Sequence, residues 1–229
     1  MNRIMIGCPV HNREWILPHY LKHVYEIDYP RDKITLCFIV NDSKDKTMDI
    51  LLEFKKRYGK QYRNIIIKEI NFNMPEDNRQ NRIEKKIYDR IAKVRNEFLG
   101  CIHDEDYVFS VDSDILVPKY SLKRLLSHKK DVVSALVYND RNNIYPNILN
   151  IKNGKIMHYF DFPKESLFQV DITGAVYIIK GEICKKVKYE YHKLGEDVPF
   201  CLSAKKLGYK IWCDSSVCCR HIMYPYMLK

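Results

Sequence analysis

Asp112-Ser113-Asp114 follows the apolar run Tyr107-Val108-Phe109-Ser110-Val111. Two carboxylates at i and i+2 in a turn after a strand can reach one cavity, because ligands of open α/β sheets bind beyond the carboxyl ends of the strands. Hard divalent cations such as Mg²⁺ and Mn²⁺ take oxygen ligands and bridge readily to phosphates. The same aspartates could instead bond backbone N–H groups within the turn. Val40-Asn41-Asp42-Ser43 ends a second apolar run. There Asp42 or Ser43 could be a ligand or a helix N-cap, with Asp45 strengthening the first turn. Pro9-Val10-His11-Asn12-Arg13 ends the first apolar run in the same way. Gly195-Glu196-Asp197 opens a helical pattern that contains Phe200, Leu202 and Leu207. Acids in a first helical turn suit the helix dipole. A carboxylate held there could also take a proton from an attacking hydroxyl, which is worth roughly 10²–10⁴ in rate. The spacing of Cys213, Cys218, Cys219 and His221 matches no common structural zinc pattern, and adjacent cysteines rarely share one ion.

The elements that must position these residues are legible from periodicity. Ile4–Cys8 reads as a strand, Glu14–Tyr25 as a helix, Ile34–Val40 as a buried strand, and Lys44–Arg57 as a helix with Ile50, Leu51 and Phe54 on one face. Ile65–Ile70 is a third strand. Arg79–Leu99 is a long helix with Ile83, Ile87, Ile91 and Val94 at three- and four-residue spacing, and Tyr107–Val111 is a fourth strand. Strands separated by such helices predict parallel βαβ units with helices on both faces. The order then changes. Lys119–Leu126 reads as a helix and Val132–Val137 as a strand, and Asn139 to Lys155 as loop and hairpin. Phe168–Asp171 and Ala175–Ile179 read as strands, Glu196–Leu207 as a helix closed by Gly208, and Lys210–Cys213 as a last short strand. The pattern contains no internal repeat, low-complexity tract or linker, so one domain is expected.

Composition agrees with a globular chain: 229 residues, 46% hydrophobic and 30% charged. The first apolar run is too short for a signal peptide, and no run reaches the roughly 18 residues of a membrane helix, so the expected location is cytoplasmic. The eight cysteines fall largely in apolar strands, where a small buried hydrophobe is the default reading. Net charge is +10 and the isoelectric point about 9.1. Such a surface suits anionic partners, including nucleotide phosphates and the inner face of an anionic membrane, and it also serves solubility.

The turns together resemble the family 2 glycosyltransferases, which have the GT-A fold. Pro9-Val10-His11-Asn12-Arg13 looks like their opening Pro-Val-Tyr-Asn-Arg run. Val40-Asn41-Asp42-Ser43-Lys44-Asp45-Lys46-Thr47 is similar to their Val-Asp-Asp-Gly-Ser-x-Asp-x-Thr turn, one residue shorter. Ala92-Lys93-Val94-Arg95-Asn96 resembles their Ala-x-x-Arg-Asn helix, Val111-Asp112-Ser113-Asp114 their DxD motif, and Thr173-Gly174-Ala175 their acceptor-side Thr-Gly segment. Gly195-Glu196-Asp197-Val198-Pro199-Phe200-Cys201-Leu202 resembles Gly-Glu-Asp-x-Asp-Phe-Cys-Leu, with Pro199 in place of the second acid. His221 falls where a late metal-binding histidine is expected. Tyr29-Pro30 and the Asn-Asp-Ser turn also resemble the related fungal-type mannosyltransferases.

The resemblance implies an α/β domain over 1–229 with a mostly parallel sheet flanked by helices. Its nucleotide-sugar half covers about 1–117 and its acceptor and catalytic half about 118–229. It implies an inverting transfer from a UDP-sugar, or from GDP-mannose, to a hydroxyl of a glycan, lipid-linked or protein acceptor, with Mn²⁺ or Mg²⁺. In that scheme Pro9, His11 and Arg13 border the base and ribose, Asp42 receives the base in place of the family's Asp at Asn41, and Arg95 approaches the diphosphate or its neighbours. Asp112 and Ser113 lie on the donor side, Asp114 and His221 hold the metal, and Thr173 and Gly174 face the acceptor. Asp197 is the base, and Glu196 binds acceptor or supports the helix terminus. A nucleotidyltransferase would carry a Gly-rich phosphate loop, which Gly7-Cys8-Pro9-Val10 is not. A nucleic-acid module would concentrate its basic residues in a recognised motif, which this chain lacks. A non-catalytic nucleotide-sugar binder of the same fold has the same sequence signals.

Overall fold

The computed structural model describes residues 1–72 and 84–228. The first half alternates: β1 (Ile4–Val10), α1 (Leu17–Tyr25), β2 (Ile34–Asn41), α2 (Thr47–Tyr58), β3 (Asn64–Ile70), α3 (Glu84–Gly100) and β4 (Tyr107–Val111). The second half holds β5 (Ile115–Leu116), α4 (Ser121–Ser127), β6 (Val132–Leu136), β7 (Ile148–Lys152), β8 (Lys155–His158), β9 (Leu167–Val170) and β10 (Ile172–Thr173). It ends with β11 (Val176–Lys180), α5 (Gly181–Cys184), α6 (Asp197–Lys206), β12 (Ile211–Cys218) and β13 (Arg220–His221).

An eight-stranded sheet has the order β3-β2-β1-β4-β11-β6-β12-β9. β3, β2, β1 and β4 are mutually parallel, and β6 and β12 share their direction; β11 and β9 run against it. β1 pairs with β2 on one edge and β4 on the other. The connections leaving β1 and β2 therefore diverge from those reaching β4, the switch point at which open α/β sheets form their ligand crevice. The turns carrying His11, Asn41 and Asp112 all emerge there.

The apolar strands are covered on both faces, which is why they read as nearly continuous hydrophobic runs. Ile4, Ile6, Cys8 and Val10 share one core with Leu17, Tyr20, Leu21 and Val24 of α1. Met5, Cys37 and Ile39 share a second core with Ala92, Val94, Phe98 and Leu99 of α3. Burial of each such aliphatic or Phe side chain contributes about 1.5–3 kcal/mol. The strand ends are thus fixed by packing from both sides before any site residue is considered.

Element boundaries shift for local reasons. α1 starts at Leu17 rather than Glu14, because residues 13–16 form a turn in which Arg13 O accepts from Ile16 and Leu17 N–H and Pro18 occupies the first turn. α2 starts at Thr47 rather than Lys44. Neither Asp42 nor Ser43 caps it: Lys46 holds the N-cap position, and Asp45 Oδ1 takes the Thr47 N–H of the first turn at 3.0 Å. The expected helix over Arg79–Leu99 is described from Glu84 on; its first residues lie outside the described range. The hairpin expected between Asn139 and Lys155 is β7–β8, closed by Asn153 and Gly154 at φ 50° and 73°, the two positive-φ positions of a tight hairpin turn. The last strand runs on from Cys213 to Cys218 through a register shift against β6. Gly208, at φ 88°, ends α6 as expected. No helix among the described residues is long and apolar enough to cross a membrane.

Candidate active site

The turns after β1 and β2 are tied together by side chains. Ser43 Oγ accepts from Asn12 N–H (3.0 Å), Thr47 Oγ1 from Arg13 N–H (2.8 Å), and Asn12 Oδ1 from Lys44 N–H (2.8 Å). His11 Nδ1–H donates to Asn41 O at 2.6 Å. Asn12 and Asp42 both adopt φ 48°, a left-handed conformation that Asn and Asp tolerate better than most residues. Each strand can therefore reverse at once and leave its next side chains in the crevice.

A cleft of about 780 Å³ opens above these turns. Pro9, His11, Arg13, Arg95, Asp112, Ser113, Asp114, Thr173, Gly174, Glu196, Asp197 and His221 all line it. Asp42 is the expected residue that the structure does not bring to the lining. Its Oδ1 accepts the Phe72 N–H at 2.9 Å, and its neighbour Asn41 lines the cleft instead.

Arg95 is the organising cation. It is 4% exposed. Its Nη2 donates to Asp112 Oδ1 at 2.8 Å, its Nε to Glu196 Oε1 at 2.7 Å and its Nη1 to Ser110 Oγ at 3.4 Å. These donors bind the end of β4 to the start of α6. Glu196 is buried and ion-paired with Arg95; Asp197 lines the cleft beside it. Burial pushes Asp197 up to about 7; the Arg95 charge opposes this, while Glu196 and Asp112 add to it. Burial raises Asp112 as well, against the pull of Arg95.

Tyr177 and Tyr189 join Asp197 from behind the cleft lining, and the sequence did not mark them. Tyr177 O–H donates to Asp197 Oδ1 at 2.8 Å, and the Tyr189 hydroxyl bonds to that of Tyr177. Both look like core residues in apolar surroundings; Tyr189 also stacks on Phe200. A hydrogen bond to a carboxylate favours its charged form. Tyr177→Phe should therefore move the acid limb of the pH–rate profile upward from about 7, a shift that a purely structural tyrosine would not produce.

Gly174 forms the floor under Asp197: a Cβ at this position would collide with Asp197 Oδ2. The next residue, Ala175, sits at φ 65°, with Val176 N–H bonded to Gly174 O at 2.8 Å, a strained γ-turn. Ala175 O accepts the Asp112 N–H at 3.0 Å, and Asn147 Nδ2 donates to Gly174 O at 2.8 Å. Thr173 Oγ1 is buried at the cleft without a hydrogen-bond partner among the described residues. Gly174→Ala should cost little stability, because the obstructing atom is the end of a side chain. It should still displace the carboxylate and lower turnover by about 10²-fold, the scale of a 1 Å misplacement. Steady-state kinetics paired with a thermal melt separates the two effects.

Also lining the cleft, Asp114 Oδ1 and His221 Nε2 lie 3.7 Å apart. The pairing of β13 with β5 sets His221 opposite Ile115, and Ile222 N–H bonds Asp114 O at 2.8 Å. Arg13 Nη2 also reaches Asp114 Oδ2 at 3.1 Å, and its Nε reaches Ser113 Oγ at 3.3 Å. Burial works against the Asp114 charge, but His221 and Arg13 outweigh it and hold this carboxyl below its usual range. Burial likewise opposes the His221 charge, and Asp114 raises it overall. One carboxylate oxygen and one imidazole nitrogen fit a divalent cation that takes its other ligands from phosphate and water. Among the described residues no group of three or more His, Cys, Asp or Glu side chains converges for a metal, so protein ligands alone would not complete the shell.

The model of the Anp1 family matches residues 1–153, which include the turns after β1 and β2 and the Asp112-Ser113-Asp114 segment. The chain belongs to the Anp1 family. The yeast (Saccharomyces cerevisiae) "Mannan polymerase II complex ANP1 subunit" is 28% identical over 159 residues, 60% of this Anp1-family chain and 30% of the relative. The mouse (Mus musculus) "Inactive glycosyltransferase 25 family member 3" is 27% identical over 149 residues, 63% of this chain and 25% of the relative. The chain thus spans about a quarter to a third of the length of these curated relatives. Among solved structures, the mannosyltransferase PcManGT from Pyrobaculum calidifontis, in complex with GDP-Man and Mn²⁺, superposes with a TM-score of 0.61 at 15% identity, over 97% of this chain and 57% of that one. The fold is that of the GT-A glycosyltransferases.

Proposed function

We propose that this Anp1-family domain transfers a sugar from a nucleoside-diphosphate sugar, GDP- or UDP-linked, to an acceptor hydroxyl with inversion, aided by Mn²⁺ or Mg²⁺. Residues 1–117 form its donor half and 118–229 its acceptor and catalytic half, within one domain. The observation that carries this reading is that one cleft holds both the Asp114–His221 pair, 3.7 Å apart, and Asp197, hydrogen-bonded by Tyr177 and raised to about 7. A donor bound there would have its diphosphate beside the pair and its incoming acceptor beside Asp197.

Asp114 and His221 would hold the cation, which supplies charge neutralisation for the departing diphosphate. His11, Arg13 and Asn41 border the nucleotide, with Asn41 better placed than Asp42 to meet the base. Arg95 fixes Asp112 and Glu196, and Asp197 accepts the proton of the attacking hydroxyl.

Metal dependence is tested by calorimetry with GDP and UDP in the presence and absence of Mn²⁺. Binding of one diphosphate should strengthen with Mn²⁺ in the wild type, and Asp114→Ala should remove that gain. Equal affinity of the variant with Mn²⁺ would reject the assignment. A second reading, a donor-binding domain without turnover, is favoured by the mouse relative's designation as inactive. Donor hydrolysis or transfer by the wild type, lost in Asp197→Asn, decides against it.

A further inference from the structure

The β7–β8 hairpin and the loops flanking it carry side chains with no role in the fold's core. Of the twelve large hydrophobic side chains exposed among the described residues, five lie between 144 and 160: Ile144, Tyr145, Ile151, Met157 and Phe160. Tyr145 is 48% exposed and Phe160 55%. Aromatic side chains usually bury 150–250 Å² each, so exposing two side by side forgoes that gain. Clustered exposure of this kind marks a binding surface.

The rings are ordered against one another. His158 and Phe160 lie 5.7 Å apart at 33°, forming a shallow floor. Tyr145 stands nearly upright to both, 5.4 Å from His158 at 65° and 5.9 Å from Phe160 at 66°. His158 Nδ1–H donates to Pro146 O at 3.0 Å, which makes Nε2 the acceptor nitrogen of the neutral ring. The result is a corner with an aromatic floor, an aromatic wall and polar edges.

This corner continues into the cleft. Pro146, Asn147, Met157 and His158 line the cleft. Asn147 ties the hairpin base to Ala135 O and to Gly174 O, and Gly174 is the residue against which the Asp197 carboxylate rests. Tyr138, which bridges Pro146, accepts a bond from His221 Nδ1 through its carbonyl at 3.3 Å, so the platform adjoins both Gly174 and His221 at the cleft.

We propose that Tyr145, His158 and Phe160 form an acceptor subsite for a neutral pyranose ring of a glycan, its apolar C–H face stacked on the aromatic floor and its edge against Tyr145. The proposal rests on the reading of the cleft as a glycosyl-transfer site and names the acceptor class. A pyranose presents one flat apolar face and a rim of hydroxyls, which matches a ring floor bordered by a tyrosine hydroxyl and an imidazole nitrogen. The charge bonded to the corner's backbone is a carboxylate, Asp140 Oδ1, which accepts the Tyr145 N–H at 2.7 Å, and Arg141 of the same loop is held over Tyr224 and Tyr226 at 4.9 and 4.8 Å. The chemistry thus selects a neutral sugar over a phosphorylated or acidic one.

The test uses saturation-transfer NMR and calorimetry on the full chain with mannotriose, maltotriose and triacetylchitotriose, in the presence of Mn²⁺ and GDP or UDP. At least one trisaccharide should bind saturably. Tyr145→Ala and Phe160→Ala should each weaken it about tenfold, Tyr145→Phe should retain most of the affinity, and diphosphate binding should be unchanged in all three. Absence of binding by all three sugars would overturn the proposal, as would equal binding by the alanine variants. Binding of phosphatidylcholine vesicles that is lost in Phe160→Ala, without sugar binding, would assign the patch to a lipid surface and also overturn it. Because the readout is binding and not turnover, its failure is distinct from that of the proposed activity, which stands or falls on donor turnover.

Discussion

Asp197→Asn should lower turnover by at least about 10²-fold with donor affinity nearly unchanged, because a base acts on the proton lost in the transition state and not on donor binding. The substitution keeps the shape of the side chain and removes its basicity. In the wild type, kcat/KM should fall as the pH drops below about 7, where Asp197 takes up a proton. Stability should respond in the opposite sense. Burial raises this carboxyl in the folded chain to about 7 from its usual 3.8, with Arg95 opposing and Glu196 and Asp112 reinforcing. Between those values the folded state binds a proton that the unfolded state has released, so stability declines as the pH rises through the window. The neutral Asn escapes this cost. Asp197→Asn should unfold at higher urea concentration than the wild type at pH 8, by on the order of 1 kcal/mol, with the difference fading toward pH 4. A variant that is fully active, or that is less stable at pH 8, would remove Asp197 from the role of the base.

Arg95→Ala should produce the largest loss of stability. Glu196 and Arg95 have side chains 7% and 5% exposed and lie 2.7 Å apart, and Asp112 takes a second bond from the same guanidinium. Removing one partner of a buried pair leaves the other charge unmatched, at a cost of about 3–5 kcal/mol. In a chain of this length that corresponds to roughly 10 °C in Tm. Arg95→Lys keeps the charge but cannot span two carboxylates with a planar fork, so it should recover only part of the stability and little activity. Urea unfolding of both variants measures the energetic effect. A loss in Arg95→Ala no greater than that of a surface substitution would show that the network does not hold the site.

Much of the site was legible because its residues sit at strand ends. A buried parallel strand is a nearly continuous apolar run, and the polar residues that interrupt it, His11 to Arg13, Asn41 to Ser43 and Asp112 to Asp114, must emerge on the sheet's carboxyl edge. Periodicity therefore gave the turns that line the cleft together with their elements. It also marked Glu196 and Asp197, since acids at a helix start after glycine are visible without coordinates, but it did not choose between them. It did not separate Asn41 from Asp42, because which of two adjacent polar residues enters the crevice depends on the φ 48° turn and on the Phe72 N–H that takes up Asp42.

What the tertiary structure decided is which distant groups share a charge or a wall. Arg95 reads as one polar residue on an amphipathic helix; only the packing of α3 under β1 and β2 buries it between Asp112 and Glu196, residues 17 and 101 positions away. Tyr177 reads as core and becomes the hydrogen-bond donor to Asp197 because β11 inserts antiparallel beside β4. His221 meets Asp114 through two short strands, β5 and β13, whose two-residue lengths are too brief to show a period of their own. Local pattern fixes where a side chain can point, whereas its partner, its burial and hence its proton affinity are set by contacts far apart in the chain.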